Sequence, residues 1–167
     1  MKMAGFYDES ISNGLGWRAV LFVSGCPHNC PGCHNKIAQD YNYGEDFNQD
    51  KIIERIKDNS ILSGITISGG EPLCNENISE INKFIDRIKK EKPTFNIWCY
   101  TGYTFEELKK RNDKTTNEVL NKIDVLVDGR FVEERKNPEI RFRGSDNQRI
   151  LDVPKCINQN KIVELEL

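Results

Sequence analysis

Short β-branched runs alternate along this chain with longer stretches in which isoleucine recurs at every third or fourth position. Residues 17–24, from Trp17 to Ser24, form one such run and predict a strand that ends at Gly25. Ile52, Ile53 and Ile56 sit at helical spacing within 50–58. Gly64-Ile65-Thr66-Ile67-Ser68 predicts a short strand, stopped by Gly69-Gly70. The clearest helix follows, with Ile78, Ile81, Ile85 and Ile88 on one stripe and Lys83, Asp86, Arg87, Lys89 and Lys90 off it. Pro93 stands beyond its end, where a residue that cannot extend a helix belongs. Residues 95–100 predict the next strand, and Thr104-Phe105-Glu106-Glu107 is a capping-box pattern opening a helix through Arg111. Residues 123–128 predict a further strand, and 149–153 and 161–165 are two more candidates in the tail.

Repeated strand–helix–strand alternation predicts a mostly parallel sheet with right-handed crossovers. A closed eight-stranded barrel takes about 250 residues, and this chain has 167. The expected fold is therefore α/β, a partial (incomplete) TIM-type β/α barrel, with residues 1–167 forming a single domain. In such sheets, sites collect at the carboxyl ends of the strands. The unusual residues of this chain fall there. A cysteine loop follows the first predicted strand, Gly69-Gly70-Glu71-Pro72 the second, Thr101-Gly102-Tyr103 the third and Asp128-Gly129-Arg130 the fourth.

Composition narrows the class. Net charge is −2, with 30% of residues charged, so the strongly basic footprint of a nucleic-acid binder is missing. No segment approaches the roughly 20 apolar residues that cross a bilayer, and the first nine residues have no signal-peptide core. These features predict a cytoplasmic protein with no membrane partner. Six cysteines at 26, 30, 33, 74, 99 and 156 are half clustered and half scattered. That distribution is unlike a secreted disulfide scaffold, and in a reducing compartment clustered thiols are metal ligands or redox groups.

The run Cys26-Pro27-His28-Asn29-Cys30-Pro31-Gly32-Cys33 carries the chemistry. Thiolates at this density suit iron–sulfur clusters, zinc or copper(I). Three ligands on a cubane would leave one iron free to bind a small molecule. His28 and His34 are the only histidines, and they support a rival Cys3His zinc site in a non-enzymatic interaction module. Such sites usually draw on two separated knuckles, however, and zinc leaves the Gly-Gly-Glu loop without a role. Gly69-Gly70 would let backbone approach a ligand closely, and Glu71 is expected to point into the same mouth as the thiolates. Asp128 ends a strand, where it would either bind a ribose hydroxyl or amine or cap a turn. Cys99 alternates within a strand and reads as core, while Cys74 is expected to be a small buried hydrophobe.

Cys-x3-Cys-x2-Cys after the first strand, with Gly-Gly-Glu-Pro after the second, resembles the radical S-adenosylmethionine superfamily. The narrower resemblance is to the activating enzymes of anaerobic (class III) ribonucleoside-triphosphate reductase. It is carried by residues 12–18, by 25–35 around the cysteines, by Trp98-Cys99-Tyr100-Thr101-Gly102-Tyr103-Thr104, by 124–131 and by Arg143-Gly144-Ser145-Asp146-Asn147-Gln148-Arg149-Ile150. Many superfamily members place an aromatic before the third cysteine; Gly32 stands here, as it does in the reductase activases.

The resemblance implies that Cys26, Cys30 and Cys33 hold three irons of a 4Fe-4S cluster whose fourth iron is chelated by S-adenosylmethionine. Gly69, Gly70, Glu71, Thr101 and Asp128 are the implied cofactor-binding residues. It further implies reduction by a one-electron donor such as flavodoxin, cleavage to a 5′-deoxyadenosyl radical and hydrogen abstraction from a glycine of the large reductase subunit. Activation of another glycyl-radical enzyme, or a small nucleoside-modifying enzyme with the same cofactor, are the alternatives within this chemistry. The arginines at 130, 135, 141, 143 and 149 would either meet the partner or form a mixed, solvated face with Glu133, Glu134, Glu139 and Asp146.

Overall fold

A strand that is apolar on both faces must be covered on both, and four strands of this chain are of that kind. The computed structural model describes residues 1–167. It runs β1 (Lys2–Ser10), β2 (Arg18–Val23), β3 (Glu45–Asp46), α1 (Gln49–Ile56), β4 (Gly64–Gly69), α2 (Ile78–Glu91), β5 (Asn96–Tyr100), α3 (Phe105–Arg111), α4 (Lys114–Lys122), β6 (Val125–Asp128), β7 (Arg149–Asp152) and α5 (Val153–Gln159). Short 3-10 turns lie at Lys36–Gln39 and Glu133–Arg135. Strands β2, β4, β5 and β6 are the nearly fully buried ones. They pair in parallel and form the middle of one seven-stranded sheet of order β3-β1-β2-β4-β5-β6-β7. Antiparallel strands flank them, β1 and β3 on one side and β7 on the other. The sheet stays open, so the expected partial barrel is the architecture found.

Alternation along each central strand separates two surfaces. Ala19, Leu21, Ile65, Ile67, Ile97, Cys99 and Leu126 point to the helical side, where the isoleucine stripes of α1 and α2 meet them. Residues of the opposite parity line the concave face, where Trp98, Val125, Val127 and Ile150 form a smaller apolar cluster. Phe142 closes its lower part, its ring meeting Trp98 edge-on with centroids 5.4 Å apart.

Arg18 fastens the amino ends of three parallel strands from within. It is 1% exposed. Its Nε donates to Thr66 Oγ1 at 2.8 Å and its terminal nitrogens donate to the carbonyls of Leu15, Ile65 and Asn96 at 3.0, 2.9 and 2.6 Å. All of these partners are neutral oxygens. Burial pushes the guanidinium pKa down to about 10, so it remains charged at neutral pH, and it lies against the Trp98 ring.

The helix starts follow local rules. Thr104 and Glu107 make the reciprocal capping box foreseen from their spacing, at 3.1 and 2.7 Å. Asp113 caps α4 and Asp152 caps α5, the latter with Pro154 in the first turn. Four elements lie outside the sequence expectation, the two-residue strand β3 among them. Strand β1 has only one fully buried residue, Met3, so no alternation marks it. Helix α4 contains Thr115, Thr116 and Asn117, all weak helix formers. Helix α5 spans only two turns. The expected strand at 161–165 is reduced to a single bridge between Leu151 and Glu164, held by the Val163 and Leu165 backbone. Replacing Arg18 by Met should lower stability by roughly 3 kcal/mol or more, because all four of its charge-assisted hydrogen bonds are lost. Urea unfolding checks this, and Arg18→Lys should recover little because an ammonium cannot fork to several carbonyls.

Candidate functional site

Four loops rise from the carboxyl ends of β2, β4, β5 and β6 and enclose a cavity of about 770 Å3. Cys26, Cys30 and Cys33 line one wall, and Ser68, Gly69, Gly70, Tyr100, Thr101 and Gly102 line another. The cysteine loop is tied down at its start, where Gly25 and Cys26 donate backbone N–H groups to Ala38 and Gln39 carbonyls at 2.7 and 3.1 Å. It then coils tightly, with Asn29 and Gly32 in left-handed conformations and the Cys33 N–H reaching the Cys30 carbonyl at 3.2 Å. All three thiols are free and partly buried. Burial pushes the Cys26 thiol up to about 11 and raises Cys30 as well. Thiols held protonated in this way are poor nucleophiles, whereas a bound metal takes them as thiolates outright.

The glycine loop is bonded to the start of the cysteine loop. Gly70 N–H donates to Val23 O at 2.8 Å and Glu71 N–H to Gly25 O at 2.7 Å. A Cβ on Gly70 would lie 2.4 Å from the Gly25 carbonyl oxygen and 2.7 Å from that of Ala38. Glycine is thus required here by the contact between two loops as well as by any ligand.

Glu71 differs from the sequence expectation. Its carboxylate does not open into the cavity with the thiolates but is wholly buried, because four donors surround it. Oε1 accepts from Leu73 N–H at 2.9 Å and from the Thr101 hydroxyl at 2.8 Å. Oε2 accepts from Gly102 N–H at 2.7 Å and from His28 Nε2 at 2.7 Å. Those donors come from the glycine loop itself, the Thr-Gly-Tyr loop and the cysteine loop. Thr101 therefore belongs to both structures, since its hydroxyl holds Glu71 while the residue lines the cavity.

Asp128 takes the capping role of the two weighed for it. It is 1% exposed, receives the Phe105 N–H at 2.8 Å at the start of α3, and pairs with Arg149 through both oxygens. Arg149 also binds Glu106 in a fork at 3.0 and 2.7 Å. With its oxygens thus engaged, Asp128 is not among the residues that line the cavity. Its neighbours Gly129 and Arg130 do line it. Of the remaining arginines, Arg135 pairs with Asp146 and Arg141 is exposed, as a mixed solvated face requires, whereas Arg143 lines the cavity. Cys99 is core, and Cys156 is buried with its sulfur accepting the Val163 N–H. Cys74 is buried beside the Tyr41 hydroxyl.

Comparison with known proteins agrees in chain order and extent. The 4Fe-4S single cluster domain family matches residues 12–151. The anaerobic ribonucleoside-triphosphate reductase-activating protein of Escherichia coli (strain K12) is 44% identical over 147 residues, covering 86% of this chain and 93% of that protein. The proteins of the same name from Salmonella typhi and from phage T4 are 43% and 36% identical over 152 and 146 residues. They cover 89% and 86% of this chain, and 96% and 89% of their own lengths. The chain belongs to this family of reductase-activating proteins.

Membership in the activating-protein family makes sense of Gly32. Its φ is +74°, and a Cβ there would sit 2.8 Å from the Glu133 carboxyl carbon. The left-handed turn alone disfavours any side chain at this position, and the exposed Glu133 side chain lies over it. No helix is long and apolar enough to cross a membrane. His28 is the site residue whose role the sequence did not reveal: its place inside the cysteine run suggested a zinc ligand, while its Nε2 serves Glu71. Gly70→Ala should lower Tm by several degrees, since overpacking costs about 1–3 kcal/mol. Gly5→Ala is the control, its Cβ meeting only the Phe22 ring at 3.9 Å; calorimetry of both variants checks the contrast.

Proposed function

We propose that this chain activates an anaerobic ribonucleoside-triphosphate reductase by generating a glycyl radical on its large subunit. The observation that carries the reading is the set of three free thiols, Cys26, Cys30 and Cys33, on the wall of a cavity at the strand carboxyl ends. Three free thiols on one loop supply the donor type and number that a 4Fe-4S cluster with one iron open to a ligand asks for.

Cys26, Cys30 and Cys33 would hold that cluster, and S-adenosylmethionine would occupy the cavity beside it. When bound and reduced, the cluster would supply the electron for reductive cleavage of S-adenosylmethionine, the radical chemistry by which a glycine loses a hydrogen atom. The chain's own part is to bind and orient. The loop edges at Gly69, Gly70, Thr101 and Gly102, which line the cavity, would bring backbone close to the methionine end. Phe22, Tyr100 and Val127 supply apolar walls that exclude water. Glu71 holds these loops together from beneath, and Asp128 fixes the start of α3 beside Gly129. At about 770 Å3 the cavity falls within the range of small-molecule sites, roughly 300–1,000 Å3.

The reductase as partner is supported by the names of the relatives. A cytoplasmic location and a flavodoxin-type donor follow from the same reading. We take residues 1–167 as one radical S-adenosylmethionine domain, supported by the single sheet and the span of the family match. The test uses anaerobically reconstituted protein with a strong reductant and S-adenosylmethionine. Both 5′-deoxyadenosine and methionine should form, and Cys33→Ser should bring both to background. Adding the large reductase subunit should give a glycyl-radical signal by electron paramagnetic resonance. Stoichiometric zinc and no cleavage product would overturn the reading.

A further inference from the structure

The histidine inside the cysteine run is the least explained polar group of the site. His28 is nearly buried, its side chain 5% exposed. Its Nε2 lies 2.7 Å from Glu71 Oε2. A carboxylate can only accept, so Nε2 carries the hydrogen and is not free to bind a metal. The ring is fitted on two further sides. Its edge meets Tyr103, with centroids 4.5 Å apart at 73°. A Cβ on Gly102 would come within 2.5 Å of His28 Cδ2, so glycine at 102 makes room for this ring. Tyr103 is itself held beneath the Arg111 guanidinium, 4.4 Å from its ring centroid.

Among the four donors to Glu71, His28 is the one contributed by the cysteine loop. Leu73 belongs to the glycine loop, and Thr101 and Gly102 belong to the loop after β5. His28 also occupies the middle of the arc between Cys26 and Cys30, next to the left-handed Asn29. Its bond to Glu71 therefore joins the midpoint of the thiol-bearing arc to the floor of the two loops across the cavity.

We propose that His28 is a positioning residue: through Glu71 it locks the cysteine loop in register with the glycine and Thr-Gly-Tyr loops. The inference rests on the proposed function. The loop that would hold the cluster and the loops that would hold S-adenosylmethionine are then kept in register by one junction, the His28–Glu71 bond. Reaction at that iron depends on placement, and an error of an ångström is enough to lose much of it. Loss of the bond leaves Glu71 Oε2 buried with one donor fewer, and the cysteine arc free to shift against the opposite wall.

The experiment compares His28→Phe, which keeps a ring against Tyr103 and lacks the donor, with His28→Gln, whose amide can donate to Glu71. Both are reconstituted anaerobically alongside the wild type. Iron and sulfide content and near-ultraviolet circular dichroism should match the wild type in both. Equilibrium dialysis should show His28→Phe binding S-adenosylmethionine roughly ten- to a hundredfold more weakly, the range for loss of a hydrogen bond to a charged group. The paramagnetic resonance spectrum of its reduced cluster should no longer respond to cofactor at a concentration that saturates the wild type. His28→Gln should restore both readouts to within a few fold. Adding Glu71→Gln to His28→Phe should cost no more than Glu71→Gln alone, because both remove the same junction. Wild-type affinity and spectral response in His28→Phe would overturn the proposal. So would equal impairment of His28→Gln, or iron loss confined to His28→Phe, which would make the residue a support for the cluster alone. Wild-type protein that takes up neither cluster nor S-adenosylmethionine refutes the proposed function instead, before any variant is compared.

Discussion

A carboxylate cut off from water must find its hydrogen-bond donors within the protein, and Glu71 finds them in three loops that are distant in sequence. Its partners at 28, 73, 101 and 102 span the cysteine loop, its own loop and the loop after β5. Each loop alone is a polar, glycine-containing segment with little apolar surface to hold it. Pooling their donors on one buried anion gives them a common centre, and such a network is strong when every member is satisfied. Both carboxylate oxygens have two donors, so the network is complete.

That centre also explains the glycines. Gly70 lies against the carbonyls of Gly25 and Ala38, and Gly102 lies against the His28 ring. In each case one loop crosses another at a distance that a side chain would forbid. The same closeness keeps the upper surface of the crossing free of side chains, so backbone edges face the cavity. A single requirement, dense packing of loops around Glu71, thus produces a wall of close backbone rather than side chains, with the Gly70 and Gly102 N–H groups turned inward to Val23 and Glu71.

Much of this was legible in the chain because it is local. Strand and helix periods, the Thr104 capping box, the cysteine spacing and the succession of loops at strand ends are all short-range patterns, and the fold preserves them. Orientation was not legible. Whether Glu71 faces the cavity depends on donors 30 and 43 residues away in Thr101 and His28. Whether Asp128 binds a ligand depends on Arg149, 21 residues downstream in a strand that pairs antiparallel with β6. Elements stabilised by packing rather than by propensity, such as β1 at the flank and α4 with its threonines, left a correspondingly faint trace.

The two buried ionic centres divide the work of the sheet. Arg18 sits at the amino ends of β2, β4 and β5 and takes up carbonyl oxygens and a hydroxyl. Glu71 sits beyond the carboxyl ends of the same strands and takes up amide, hydroxyl and imidazole donors. A cation thus gathers acceptors at one end, and an anion gathers donors at the other. Trp98 and Phe142 pack edge-to-face on the concave side, with Trp98 against Arg18 and Phe142 at the cavity's edge. The space left open is at the carboxyl end, above Glu71, where the three thiols already stand. The buried charges that tie the strands together lie outside this lining, which consists of thiols, backbone edges and apolar walls together with the Arg130 and Arg143 side chains.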